Sequence, residues 1–290
     1  MKVANFIIII LLAFPFFEAK AQETETPKSK AVRAPFESGY LIDQQTGYIP
    51  YKKTLEFVIQ HRFGLINKEG ISDLFGIYAP GSNIRMGLNY SLTDNLMVGY
   101  GITKKNMYND FQIKWTALKQ TRSNSIPIAL TLYGDAAING KNEKEFGKNY
   151  KFISRLSYFG QVIVGRKFTD WLSLQIASSY THYNMVDTNM VHDVIGLSFN
   201  GRVRFSPQSS FIFEYDYPFQ LKGNSEKEAT FESKPNLSFG IEISTSTHAF
   251  QVYLTTADGI LLQDVMMYNN NDWVNGDLMI GFTITRLWSF

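Results

Sequence analysis

The chain contains no cysteine among its 290 residues. This absence excludes disulfide bonds, thiolate catalysis and cysteine-based metal sites, and it also excludes a lipid-modified N-terminal cysteine. The formal net charge is only +2, so the sequence lacks the strong positive charge that is typical of nucleic-acid-binding proteins. We therefore expect no nucleic-acid partner, and no motif in the chain indicates a cofactor.

Long hydrophobic runs are also missing after the first 17 residues. A membrane-spanning helix needs about 20 consecutive apolar residues. If the processed chain crosses a membrane, it must therefore do so with strands. Aromatic residues make up 15% of the chain, including 23 Phe and 16 Tyr, which is a high content for a soluble protein.

The chain instead has an alternating pattern of side-chain polarity. From Leu55 onward, hydrophobic residues alternate with polar or small ones, as they do in a strand with two different faces. Residues 84–91 and 96–103 show the pattern clearly, and the full chain offers about twelve such segments, the last over residues 276–290. The sequence therefore predicts an all-β protein of about twelve strands.

The connections between these segments alternate in length. Those after the second, fourth, sixth, eighth and tenth segments are short, whereas most of the others are long. Short turns at one end, long loops at the other and an even strand number are typical of bacterial transmembrane barrels. We therefore expect an antiparallel up-and-down transmembrane β-barrel over residues 54–290, with its apolar face toward lipid. A soluble sandwich alternates as well, so a secreted β binding module is an alternative.

The residues before the barrel divide into two parts. Lys2, an apolar run over residues 6–17 and the small-x-small sequence Ala19-Lys20-Ala21 predict a signal peptide over residues 1–21, hence Sec-type export to the outer membrane. Residues 22–53 are predicted to be a disordered or periplasmic lead-in, since residues 22–33 have almost no apolar side chain. The more aromatic residues 36–51 either cover the periplasmic mouth of the barrel or remain solvated.

The last strand carries an expected assembly signal. A strand that ends in an aromatic residue resembles the signal by which outer-membrane barrels are recognised for insertion, and here that signal is Trp288 and Phe290. The expected partners are therefore outer-membrane lipids and, through the C-terminal strand, the barrel-assembly machinery.

The polar face of the strands predicts the lining of the lumen. Charges of both signs are present, and the turn at residues 206–209 should bring Arg202 close to Glu214 or Asp216. The lumen could then be an open, charge-lined conduit or a pore closed by salt bridges. The predicted lumen-lining residues are Glu56, Gln60, Arg62, Arg85, Lys114, Arg202, Arg204, Glu214, Asp216, Glu242 and Asp277.

The four histidines do not indicate a catalytic site. None has the His-x-Ser spacing of outer-membrane lipid hydrolases, and Ser178 lies four residues from His182, about 13 Å along a strand and too far for a base to reach a nucleophile. We therefore predict no catalytic residue and no enzymatic activity. His182, His192 and Asp193 flank one extracellular loop and are candidate metal ligands, although zinc or copper would need three or four converging ligands.

Several short motifs resemble an outer-membrane barrel family of Gram-negative bacteria whose function is unknown. They are residues 55–64, which end in His61-Arg62-Phe63-Gly64, and residues 84–88, 161–168, 182–184, 248–251 and 281–286. The resemblance implies an outer-membrane β-barrel without an assigned reaction. The sequence thus predicts a non-enzymatic barrel, either a small-solute channel or a structural or partner-binding protein, with a barrel-embedded lipid hydrolase as an alternative.

Overall fold

The structure is a computed structural model that describes residues 30–33, 35–66, 73–223, 226 and 228–290. The predicted signal peptide lies outside these residues. Strands dominate the described chain, and no helix within it is long and apolar enough to cross a membrane. The strands are β1 (Tyr40–Leu41), β2 (Gln44–Gln45), β3 (Thr54–Leu65), β4 (Asn83–Ser91), β5 (Leu96–Thr103), β6 (Asn109–Leu118), β7 (Ala129–Ile138), β8 (Leu156–Lys167), β9 (Leu172–Tyr183), β10 (Asp193–Arg204), β11 (Ser209–Leu221), β12 (Asn236–Ser244), β13 (His248–Thr255) and β14 (Met279–Ser289).

Strands β3 to β14 form one closed antiparallel barrel of twelve strands, which confirms the predicted fold. Each strand pairs with its sequence neighbours, and β14 returns to pair with β3, with Ser289 opposite Thr54. The short turns lie at the end of the barrel that holds the start of β3 and the end of β14. In bacterial barrels this end faces the periplasm and the long loops face the outside.

The two faces of the barrel wall have inverted polarity relative to a water-soluble barrel. Apolar side chains such as Ile176 and Val252 point outward and are 57% and 59% exposed, whereas Glu214 and Thr283 point inward and are fully buried. An outward apolar face is stable only where its solvent is lipid. The protein is therefore a membrane-spanning barrel.

The interior of the barrel is filled from the periplasmic end by residues 36–49, called the plug below. Its strands β1 and β2 form a separate two-stranded hairpin that pairs only with itself. The side chains of Phe36, Leu41 and Ile42 pack against Ile212 and Tyr253 of the wall. The plug therefore lies deeper than the two expected positions, at the mouth or in solvent, because its apolar residues find apolar partners inside the barrel.

The extracellular end is filled by the loop between β13 and β14. Residues 256–271 of this loop, called the lid below, fold into the barrel and contain the helix α1 (Leu262–Tyr268). Leu262, Met266 and Met267 pack against Phe159 and Val194 of the wall. A short 3₁₀ turn at Trp273–Asn275 follows the lid in the same loop, and others lie in other connections at Lys105–Met107, Glu143–Phe146 and Phe152–Arg155.

Candidate functional site: the occluded lumen

The structure buries nearly all of the predicted lumen-lining side chains. Arg204 is an exception, since it is 27% exposed at the periplasmic end. Asp277 is the other, because β14 begins only at Met279 and Asp277 belongs to the extracellular loop, where its carboxylate accepts a hydrogen bond from the Asp272 N–H at 3.0 Å. The buried residues are Glu56, Gln60, Arg62, Arg85, Lys114, Arg202, Glu214, Asp216 and Glu242.

The turn of the plug hairpin lies in a polar recess of the wall. Asp43 forms an ion pair with Arg62, and both side chains are fully buried. On another part of the wall, one oxygen of Glu214 accepts the backbone N–H groups of Asp43 and Gln44, both at 3.0 Å. The side-chain amide of Gln44 donates to Asp216 at 2.7 Å and to Ser198 at 3.0 Å. We call the recess formed by Arg62, Ser198, Glu214 and Asp216 the tip site.

Glutamine side chains of the wall bind the main chain of the plug. Gln251 accepts the N–H of Ile42 at 2.8 Å and donates to the carbonyl of Tyr40 at 2.9 Å. Gln175 donates to the carbonyl of Gln45 at 2.7 Å. Such contacts satisfy the polar groups of a buried backbone, which would otherwise each cost about 1–3 kcal/mol. The plug therefore has one defined register in the barrel.

Further contacts fix the plug nearer to the periplasm. Glu37 forms ion pairs with Arg202 at 2.9 Å and Arg204 at 2.6 Å. The expected approach of Arg202 to Glu214 or Asp216 is wrong, because the strand register places Arg202 opposite Ile212 and leaves the two carboxylates further up the barrel. The sequence could not reveal this partner, since Glu37 belongs to the plug.

Another buried ion pair joins two residues of the wall. Arg85 donates to both carboxylate oxygens of Asp110, at 3.0 and 2.5 Å, and to Gln60 at 3.2 Å. Gly101 leaves the space that this guanidinium needs, because a Cβ atom there would lie 2.3 Å from Arg85 Nη2 and 2.6 Å from Asp110 Oδ1. This pair thus belongs to the wall itself.

The lid is held by polar contacts as well as by apolar packing. Asp264 Oδ1 accepts the hydroxyl groups of Tyr183 at 2.6 Å and Tyr108 at 3.2 Å. Burial raises the pKa of Asp264, an effect that the nearby ammonium of Lys105 opposes. Lys105 itself forms an ion pair at 2.7 Å with Asp258 of the lid.

The inward side of β10 shows how completely the lumen is occupied. Val194, near the extracellular end, packs against the lid, and a Cβ atom on Gly196 would lie 2.6 Å from the sulfur of Met266. Ser198, two residues further, contacts the plug turn, and Arg202 binds Glu37 near the periplasm. The lid therefore occupies the lumen down to about Gly196, and the plug occupies it from about Ser198 to the periplasmic end.

The candidate metal ligands do not converge. His182 Nδ1 lies 2.6 Å from Asp193 Oδ1, but His192 Nδ1 faces the Tyr183 carbonyl at 2.6 Å and the two rings are 6.2 Å apart. Within the described residues, no group of three or more His, Asp or Glu side chains is placed to hold a metal ion.

The remaining histidines make contacts of other kinds. His61 stacks on Phe282, with ring centroids 5.0 Å apart, and His248 lies beside Phe250. At the C-terminus, the guanidinium of Arg286 covers the ring of Trp288 at 4.8 Å, while Phe290 is 81% exposed. These aromatic contacts lie on the outer surface of the barrel.

Comparison with known proteins places the chain in a family. The family described as "Membrane bound beta barrel domain (DUF5777)" matches residues 36–288. The chain belongs to this family. The match begins at Phe36, so the family domain includes the plug as well as the barrel. A search of curated proteins gave no significant match.

Two solved structures share the fold. An outer-membrane channel of the COG4313 group from Pseudomonas putida F1 has 10% identity and a TM-score of 0.53, over 83% of this chain and 97% of that one. A NanC porin has 7% identity and a TM-score of 0.50, over 81% of this chain and 99% of that one. At such identities the likeness concerns the fold.

The alternating pattern did not reveal the residues that fill the lumen, notably Glu37, Asp43 and Gln44 of the plug and Asp264 of the lid. One signal was available: residues 36–51 carry aromatic and aliphatic side chains without belonging to an alternating strand. Such side chains need an apolar partner, and the interior of the barrel supplies it.

Proposed function

We propose that the protein is a non-enzymatic outer-membrane channel for small polar solutes and that the structure represents its closed state. The observation that carries this proposal is that the plug pairs with no strand of the barrel. The plug can therefore leave the lumen while every strand pair of the wall remains intact. The fold that the protein shares with a porin and an outer-membrane channel agrees with this proposal.

The chemistry of the wall supports a lumen that water can enter. Once the plug leaves, Arg62, Glu214, Asp216 and the wall glutamines would exchange plug hydrogen bonds for water, and such an exchange costs about 0.5–1.5 kcal/mol for each bond. A barrel whose interior served only for packing could be lined with apolar side chains at no such cost. The polar wall is therefore the expected lining of a pore.

The attachment points of the plug determine the end of the barrel through which it can leave. Residues 31 and 32 pair with the turn between β6 and β7, and Lys53 donates its N–H to the carbonyl of Ser91 at 2.8 Å, so the plug enters and leaves at the periplasmic end. Withdrawal toward the periplasm needs no chain to be threaded through the wall. The lid forms a second barrier at the extracellular end, in series with the plug.

Planar-bilayer recording tests the channel. Asp43→Ala with Gln44→Ala loosens the plug, and Met266→Ser loosens the lid. We expect a small conductance from each variant alone and a large one from the combination, because two barriers in series must both open. Asp170→Ala, at a carboxylate that is 99% exposed in a periplasmic turn, is the matched control and should behave as wild type.

A combined variant that keeps the heat-modifiable mobility of a folded barrel and passes no current at any voltage would overturn the proposed channel function.

We also propose that the C-terminal strand, through Trp288 and Phe290, is recognised by the barrel-assembly machinery, and that outer-membrane lipids contact the outward face.

A further inference from the structure

The tip site has separate positions for a negative and a positive group. Arg62 is its cation and binds the carboxylate of Asp43. Glu214 and Asp216 are two carboxylates on β11, and Asn236 donates to both, at 3.2 and 2.9 Å. The site therefore presents one guanidinium to an acid and two carboxylates to hydrogen-bond donors.

The plug satisfies these carboxylates only with neutral donors. Glu214 receives the backbone N–H groups of Asp43 and Gln44, and Asp216 receives the side-chain amide of Gln44. Hydrogen bonds from a charged donor are roughly twice as strong as those from a neutral one. Buried carboxylates without a cationic partner are also costly. The wall of this site is therefore better suited to an ammonium group than to the plug residues that occupy it.

The contacts of Asp43 define how far apart the positions for the positive and the negative group lie. Its backbone nitrogen binds Glu214, and its side-chain carboxylate binds Arg62. Two carbon atoms, Cα and Cβ, separate that nitrogen from the carboxylate group. A ligand with an amine and a carboxylate two carbons apart can therefore reach both positions at once, as can the first residue of an aspartyl peptide.

Side chains beside the tip site are placed to bind the residue that follows the aspartate in such a ligand. Gln161 donates to the Gln44 side-chain oxygen at 2.7 Å, while Ser198 and Asp216 accept from its nitrogen at 3.0 and 2.7 Å. These three side chains together recognise both ends of a carboxamide. They would hold the amide side chain that follows the aspartate in a short peptide.

We infer that the tip site is a solute-binding site that the plug occupies in place of a free ligand. The ligand class is a short zwitterionic peptide in which an ammonium and a carboxylate lie two carbons apart. Its ammonium binds Glu214, its carboxylate binds Arg62, and its binding competes with the plug. This inference rests on the proposed channel function and names the solute class for it.

Calorimetry on the full chain in detergent tests the site with the dipeptide amide Asp-Gln-NH₂. We expect the Asp43→Ala, Gln44→Ala variant to bind it at least 10-fold more tightly than wild type, because the competing plug residues are gone. N-acetylation of the probe removes its ammonium, and Asn-Gln-NH₂ lacks its carboxylate. Each change should weaken binding at least 10-fold.

A third substitution separates recognition from stability. Adding Glu214→Gln should abolish the preference for the free over the acetylated peptide, whereas binding should still depend on the carboxylate that Arg62 holds. A folded plug variant that binds none of the three probes, or binds all three equally, would overturn the inference. A variant that binds Asp-Gln-NH₂ selectively but never conducts would instead retain the site and refute the channel.

Discussion

Replacing Asp43 by alanine is the most informative perturbation of the plug. The substitution leaves the fully buried guanidinium of Arg62 without its acid. Loss of one partner of a buried ion pair costs about 3–5 kcal/mol. Here Tyr253 and the carbonyl of Ala257 still accept from Arg62, so we expect a cost of about 2–4 kcal/mol at this site.

Undocking of the plug would avoid this free-energy cost. If the plug undocks, Arg62 becomes hydrated, and the strand pairs remain intact. The substitution should therefore destabilise the docked plug and leave the unfolding free energy of the barrel nearly unchanged. Since 1.4 kcal/mol corresponds to a factor of ten, the population of undocked plug should rise about 30-fold or more.

Thiol labelling measures that population. The chain has no cysteine, so Ser38→Cys introduces a single thiol at a side chain that is 2% exposed. The rate of reaction with a water-soluble maleimide should rise about 30-fold when Asp43→Ala is added, in line with the free-energy estimate. Asp170→Ala in the same background should have no effect. An unchanged rate in a folded Asp43→Ala barrel would refute the reasoning.

Two further predictions concern the lipid face and assembly. Val252→Arg, at an outward position in the middle of β13, should lower the unfolding free energy in vesicles by about 2–4 kcal/mol, whereas Ile243→Arg, near the periplasmic end of β12, should cost about 0–1 kcal/mol. Phe290→Ala should reduce the amount of protein assembled in the outer membrane of cells without changing refolding in detergent, and equal amounts in cells would contradict the proposed recognition by the assembly machinery.

The sequence was sufficient for the barrel wall because its signal is local. A strand with lipid on one side and polar groups on the other has a period of two, and the twelve predicted segments correspond to β3 to β14, although the parity of the sixth segment is ambiguous in the sequence. The parity also predicts which side chains point inward, such as Arg62 on β3 and Glu214 on β11. The prediction that Asp277 lines the lumen was wrong because the alternating pattern was extended to two residues before Met279, where β14 begins.

The contents of the lumen could not be predicted in this way. Strands β1 and β2 have two residues each, which is too short for a period to be visible. The partners of the plug are also distant in sequence, since Asp43 and Glu214 are 171 residues apart. The lid has the same difficulty, because α1 has only seven residues and is stabilised by the wall that it covers.

An engineered disulfide tests the central claim, that a removable plug closes the pore. Ser38 Oγ lies 3.4 Å from Thr285 Oγ1, so Ser38→Cys with Thr285→Cys can join the plug to β14. The measurement is the bilayer conductance of this pair in the variant whose plug and lid are both loosened. We predict no current when the disulfide is oxidised and full current after reduction, whereas equal currents in the two states would contradict the claim.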